Sequence, residues 1–124
     1  MLNIDHLNIS YNHTPAVQDL SLAVGAGQIV GIAGESGSGK STMLRSITGL
    51  LGREGKIISG DIWFENRQLQ LLGEKEMEKI RGKDISMIFQ QPESSFDPVA
   101  TIGKQFCEAL RVHEKISKKE ALGR

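Results

Sequence analysis

The sequence predicts a mixed α/β domain with an antiparallel β portion at its start. Three observations carry this prediction: apolar and polar residues alternate near the N-terminus, glycine is concentrated in one window, and strand and helix patterns alternate afterwards. Ten of the 14 glycines fall between Gly25 and Gly60. Such a concentration indicates a backbone that turns tightly or approaches another group closely.

The first strands are predicted from apolar side chains at every second position. A turn cluster at Tyr11–Pro15 separates the first strand from a second one over Ala16–Val24. The uncharged, apolar segment Gln28–Ala33 predicts a short strand that is buried on both faces of a parallel sheet. The apolar positions of the first strand are Leu2, Ile4, Leu7 and Ile9.

Helix and strand patterns then alternate along the chain. Helical spacing of apolar residues predicts a helix over Thr42–Leu51, with Gly52 as the C′ residue that ends it. The remaining patterns predict a strand over Asp61–Glu65, a charged helix over Glu74–Arg81, a strand over Ile85–Phe89 and a helix over about Thr101–Val112.

Composition excludes several classes of protein. Fifteen basic and 15 acidic residues give a formal net charge of zero, whereas a free-standing nucleic-acid binder usually has a basic excess. The single cysteine, Cys107, excludes an intramolecular disulfide and a multi-cysteine zinc site, which fits a reducing cytosol. The first residues, Met1–Asp5, have neither the basic nor the apolar region of an export signal.

The strongest motif lies between the predicted strand Gln28–Ala33 and the helix after it. It matches G-x-x-x-x-G-K-[ST], in which glycines allow successive backbone N–H groups to surround a phosphate. A lysine places a full charge on the terminal phosphates, and a hydroxyl can bind the Mg²⁺ that bridges them. The matching residues are Gly34, Glu35, Ser36, Gly37, Ser38, Gly39, Lys40 and Ser41.

Around this loop, the sequence resembles the N-terminal part of the ATP-binding subunit of an ABC transporter. Four features carry the resemblance over nearly the whole chain. They are Tyr11 ahead of the loop, the Walker A sequence GESGSGKST at Gly34–Thr42, the strand sequence Gly60–Phe64, and a Q-loop-like segment Met87–Pro92 followed by Ser94–Pro98. The resemblance implies a P-loop NTPase core that follows an antiparallel β portion.

The resemblance also implies a role for each matching residue. Tyr11 would stack on adenine, the residues Gly34–Thr42 would bind ATP, and Thr42 would contact the α-phosphate and begin the helix. Glu35 and Ser38 would act through their backbone. Lys40 and Gln90 would be catalytic, and Ser41 and Gln90 would contact Mg²⁺.

Within the family, the Q-loop-like segment followed by Thr101–Gly103 most resembles the ATPases of peptide and nickel importers. Gln91 departs from the pattern, since those relatives often carry aspartate there. The implied partners are ATP, a second nucleotide-binding subunit, and permease subunits that contact the Q-loop region, with no nucleic acid. The subunit would lie in the cytoplasm, peripheral on the inner face of the cell membrane.

Residues 1–124 are therefore expected to be the N-terminal part of one ABC-type nucleotide-binding domain. The family's LSGGQ-like signature motif, Walker B strand and switch histidine are absent from the sequence, and the capping box Ser117–Glu120 opens a helix just before the last residue. We expect this chain alone to bind ATP weakly or not at all and to hydrolyse it negligibly. Unpaired strand edges would favour self-association.

Two other functions are considered. A non-catalytic interaction module would keep the fold without the chemistry. A P-loop GTPase or small kinase is disfavoured because the sequence has neither N-K-x-D nor D-x-x-G. A zinc protease is excluded because the motif that begins at His113–Glu114 lacks its second histidine. Three other residues are expected to be structural: Cys107, and one or both of Trp63 and Phe64, should be buried in the core.

Overall fold

The computed structural model describes residues 1–123, which form two units. The first unit is Met1–Met77, and the second begins at Glu78. The first contains a β-sheet and one complete α-helix, whereas helices and connecting loops make up the second. The mixed α/β class and its antiparallel β portion are confirmed.

The sheet of the first unit has four strands, β1 (Leu2–Tyr11), β2 (Thr14–Val24), β3 (Gly55–Phe64) and β4 (Arg67–Gln68). Their order is β2-β1-β3-β4, and each neighbouring pair is antiparallel. The three strands predicted here are confirmed, and each is longer than predicted, although β3 ends at Phe64, one residue before the predicted end. The central strand β1 buries three of the four apolar residues that predicted it, namely Ile4, Leu7 and Ile9.

A bulge interrupts the alternation in three neighbouring strands. His6 in β1, Asp19 in β2 and Gly60 in β3 all have positive φ, at 45°, 49° and 88°, and the strand registers shift here. The Asn8 side chain stabilises the bulge: its amide donates to the carbonyl of His6 over 2.9 Å, and its oxygen accepts from the N–H of Asp19 over 2.9 Å. The strict alternation expected along β1 therefore slips by one residue.

A histidine in the bulge is expected to make stability depend on pH. His6 Nδ1 lies 2.6 Å from Asp19 Oδ1, and this hydrogen bond, with the charges of Asp19 and then Asp5, raises the pKa of His6 above 6.5. A raised folded-state pKa gives stability that is complete below the unfolded value and is lost as pH rises through the folded value. We expect the melting temperature to fall slightly over that range. The fall should disappear in His6→Asn and persist in His13→Asn, a control at another positive-φ position.

Helix α1 comprises Lys40–Ile47, so it begins and ends earlier than the predicted Thr42–Leu51. Gly49, with φ of 66°, follows the last turn, and its N–H donates to the carbonyl of Ser46 over 3.2 Å. A glycine in this left-handed conformation ends a helix. The prediction that Gly52 is the C′ residue is therefore wrong, because Gly49 ends the helix three residues earlier.

Two predicted strands do not form. The segment Gln28–Ala33 has no strand hydrogen-bonded beside it within residues 1–123, and the Ile29 side chain is fully exposed. The segment Ile85–Phe89 makes only one isolated parallel bridge, between Ile85 and Arg81. A parallel strand is stabilised by neighbours from distant parts of a chain, and without them the apolar pattern alone does not form a strand.

The helices predicted beyond the sheet are confirmed. Thr101 caps α3, since its hydroxyl accepts from the N–H of Lys104 over 3.3 Å, and Ser117 and Glu120 form the predicted capping box of α4. Short 3₁₀ turns lie at Leu69–Leu71 and Pro92–Ser95. The helices are α2 (Glu74–Ile80), which spans the boundary of the two units, α3 (Ile102–His113) and α4 (Lys118–Leu122).

Burial confirms one of the two expectations for individual residues. Cys107 is buried, as expected. Trp63 is exposed and Phe64 is only partly buried, whereas Ile62 is fully buried, so the apolar contribution of β3 to the core comes from Ile62. None of the helices within residues 1–123 has the length and apolar character needed to span a lipid bilayer.

Candidate functional site

The predicted phosphate loop, Gly34–Ser41, leads from an exposed segment into α1 and lies in the first unit. Residues 34–38 are exposed to solvent. The chain turns within the loop, because the N–H of Ser38 donates to the carbonyl of Glu35 over 3.2 Å, and the helix then begins at Lys40. The start of a helix adds unpaired N–H donors and a partial positive charge, which favour an anion at this place.

The ammonium group of Lys40 turns back into the loop. It donates to the carbonyl oxygens of Gly34 and Glu35 over 2.7 Å and 2.6 Å, and to the hydroxyl of Ser38 over 3.0 Å. A lysine ammonium has three donor hydrogens, which these three acceptors can satisfy. The loop therefore holds one full positive charge in a defined position beside its exposed backbone.

The last glycine of the loop fits a close contact with the sheet. Gly39 has φ of 91°, and a Cβ atom on it would lie 2.3 Å from the carbonyl oxygen of Ala16 and 3.1 Å from a methyl of Val17. Gly37 also has positive φ, at 78°, but a Cβ there would meet nothing within 4 Å. Glycine at position 39 therefore allows the loop to lie directly on β2. This close contact explains why the motif requires glycine at this position.

Hydroxyl groups of the loop and α1 can contribute to metal and phosphate binding. Ser41 is exposed, and its oxygen is the kind of ligand that Mg²⁺ accepts. The described residues contain no group of three or more His, Cys, Asp or Glu side chains suited to a metal ion. Thr42 is the third residue of α1, which corrects the expectation that it begins the helix.

Tyr11, the predicted adenine contact, is also in the first unit, at the end of β1. Its hydroxyl donates to the carbonyl of Leu51 over 3.0 Å, and a Cβ on Gly55 would lie 2.9 Å from ring atom Cε1. Gly55 thus makes room for the ring, and Leu51 fixes its hydroxyl. Sequence reasoning missed both residues, because a backbone carbonyl leaves no sequence signal and a glycine at the start of a strand has many explanations.

Gln90, the predicted Q-loop glutamine, lies in the second unit. It is exposed and comes just before the 3₁₀ turn Pro92–Ser95, and the Ser94 hydroxyl donates to the carbonyl of Gln91 over 2.7 Å. The structure thus places Tyr11 and Gly34–Thr42 in one unit and Gln90 in the other.

Comparison with protein families assigns the chain. The ABC transporter family matches residues 17–122. The metal-staphylopine import system ATP-binding protein CntD of Staphylococcus aureus (strain NCTC 8325 / PS 47) is 40% identical over 122 residues, covering 97% of this chain and 45% of CntD. The oligopeptide transport ATP-binding protein OppD of Escherichia coli (strain K12) is 41% identical over 126 residues, covering 98% of this chain and 37% of OppD.

Solved structures give the same assignment. The ATP-binding cassette MJ0796, in a dimeric post-hydrolysis state bound to ADP and Pi, matches with a TM-score of 0.80 and 26% identity, covering 99% of this chain and 53% of that one. The chain spans less than half the length of the two curated relatives and about half of the solved cassette. The architecture is accordingly a part of the P-loop NTPase fold, and the chain belongs to the ABC transporter family.

Proposed function

We propose that this chain is the ATP-binding part of a subunit that powers import through an ABC transporter. The observation that carries the proposal is the loop Gly34–Ser41, in which Lys40 is held by three loop oxygens beside exposed backbone. Relatives named as oligopeptide transport, dipeptide transport and metal-staphylopine import ATP-binding proteins favour peptides or metal complexes as the transported substrate. Nickel stays a prediction from the Q-loop-like segment.

In this proposal, the residues of the first unit bind one ATP. Backbone N–H groups of the loop surround the phosphates, and Lys40 neutralises charge on the β- and γ-phosphates. Thr42 contacts the α-phosphate, and the Tyr11 ring stacks on adenine. Mg²⁺, when bound with the triphosphate, draws charge from its oxygens, and Ser41 offers it a hydroxyl ligand.

Gln90 belongs to the part of the proposal that concerns hydrolysis and partners. Its amide oxygen is proposed to contact Mg²⁺ or to orient the attacking water, and the region after it to meet a permease subunit. We also propose that the complete subunit pairs with a second nucleotide-binding subunit, as the cassette MJ0796 is dimeric. These contacts would hold the subunit at the inner face of the cell membrane.

Nucleotide competition tests this function against the alternatives. Displacement of a fluorescent ATP analogue by ATP is measured first, and then displacement by GTP. Preference for ATP favours the transporter subunit, whereas preference for GTP favours a GTPase. Because this chain alone is expected to bind ATP weakly or not at all, the competition is made with the complete subunit. Failure of both nucleotides to bind the complete subunit at millimolar concentration would favour an interaction module without catalysis.

The Tyr11 ring makes a separate prediction. Tyr11→Ala should weaken ATP binding by about 1–3 kcal/mol, the range for a base stacked on an aromatic side chain. Binding of inorganic triphosphate should not change, because that ligand has no base. Titration calorimetry with both ligands measures the difference.

Tyr11→Phe is the matched control for this prediction. It removes the hydroxyl that donates to Leu51 but keeps the ring, so its ATP affinity should stay near that of the unchanged chain. Equal losses for ATP and triphosphate in Tyr11→Ala would contradict adenine stacking and would indicate a general effect on the fold.

A further inference from the structure

The connection between Gln90 and α3 is ordered by hydrogen bonds more than by burial. Nearly all of its residues are exposed, and its large apolar side chains face solvent, with Val99 92% and Phe96 43% exposed. Burial therefore contributes little to its shape. A loop that buries so few side chains is ordered chiefly by hydrogen bonds, since these must offset the conformational entropy that ordering removes.

One side chain on α3 supplies three of those hydrogen bonds, and they are the ones that tie the connection to the helix. Gln105 is half-buried in the second turn of the helix. Its oxygen accepts from the N–H of Asp97 over 2.9 Å, and its amide nitrogen donates to the carbonyls of Asp97 and Ala100, each over 3.0 Å. A primary amide has both donors and acceptors, and here both kinds bind the same four-residue stretch.

Further contacts complete this arrangement. The Asp97 carboxylate accepts from the N–H of Val99 over 2.9 Å, which closes a tight turn inside the stretch that Gln105 holds. The Phe96 ring lies against the Phe106 ring, with centroids 6.4 Å apart. Phe106 follows Gln105, and Phe96 precedes Asp97. Two neighbouring residues of α3 therefore contact the turn and the residue before it.

We propose that Gln105 is a positioning residue that gives the connection after Gln90 the shape in which a permease subunit binds it. The inference rests on the proposed function, because the permease contact is part of that function. Gln105 touches neither nucleotide nor reacting atoms in this proposal. It acts by fixing Asp97 and Ala100, so that Phe96 and Val99 are presented in one arrangement instead of many.

Amide hydrogen exchange tests the positioning step in this chain. Gln105→Ala should lower protection of the Asp97 N–H by about tenfold or more, because its acceptor is removed. Gln105→Glu keeps that acceptor but places a second acceptor oxygen against the two carbonyls, so protection of the Asp97 N–H should fall here too, by less than in Gln105→Ala. Glu108→Gln, at an exposed position on the same helix, should change neither. Unchanged exchange in Gln105→Ala would overturn the proposal.

Co-purification tests the partner step in the complete subunit, expressed with its permease subunits and extracted in detergent. Gln105→Ala should reduce the recovered complex by about tenfold while ATP affinity stays the same, and Glu108→Gln should reduce neither. Full recovery with Gln105→Ala would overturn the partner role even if exchange had changed. Failure of the unchanged subunit to recover any permease would instead count against the proposed function, and the inference would fall with it.

Discussion

Replacing Lys40 by alanine is expected to weaken ATP binding by about 10- to 100-fold, or about 1.4–2.8 kcal/mol. The change removes the one full positive charge that the loop holds beside its exposed backbone. It also removes three hydrogen bonds to loop oxygens, so part of the loss would come from a less ordered loop. Titration calorimetry at low ionic strength measures the affinity directly.

Lys75→Ala is the matched control for this change. It removes the same charge from an exposed position of α2 in the first unit, so ATP affinity should be unaffected. Comparable affinities for Lys40→Ala and the unchanged chain would mean that the loop does not bind triphosphate. Any ATP turnover by the chain is expected to stay at the level of Lys40→Ala, and turnover clearly above that level would contradict our expectation that the chain alone hydrolyses ATP negligibly.

Replacing Gly39 by alanine is expected to have the largest effect on stability, about 2–5 kcal/mol. Two costs add at this position. An alanine is strained by about 1–2 kcal/mol in a left-handed conformation, and the new methyl would lie 2.3 Å from the carbonyl of Ala16. Either the loop must move off β2 or the strand must shift. Urea unfolding followed by circular dichroism measures the loss.

Gly37→Ala separates the two costs. This glycine has nearly the same φ, but an added Cβ would meet open space. The free energy of unfolding of Gly37→Ala should therefore fall only by the strain of an alanine in a left-handed conformation, about 1–2 kcal/mol. If both variants lost equal stability, the close contact between Gly39 and β2 would contribute nothing, and our explanation of the glycine would be wrong.

The sequence predicted those parts of the fold that depend on near neighbours. The strands β1 and β2 follow one another directly, so alternation and a turn between them were sufficient. The segments Gln28–Ala33 and Ile85–Phe89 have the composition of strands but need partners from elsewhere, which periodicity cannot supply. The bulge was missed for a related reason, since it depends on how Asn8 meets two other backbones.

For the candidate site too, local features could be predicted from the sequence and contacts with distant backbone could not. The spacing of Gly34–Ser41 specifies a local turn into a helix, and the structure forms that turn with the lysine inside it. The roles assigned to Tyr11, Ser41 and Gln90 stay predictions. The supports for Tyr11 and the contacts of Gln105 were not predictable, because a carbonyl or an amide that binds a distant backbone leaves no pattern in a single sequence.

The bulge in β1 has an effect far along the strand. Ile4 lies before it and Leu7 and Ile9 lie beyond it, and all three are buried, so one even and two odd positions of β1 face the core. Without the extra residue at His6, the odd and even positions of β1 would exchange sides from that point onward. Which side chains of β1 enter the core beyond the bulge is thus decided by residue parity, at a single position near the middle of the strand.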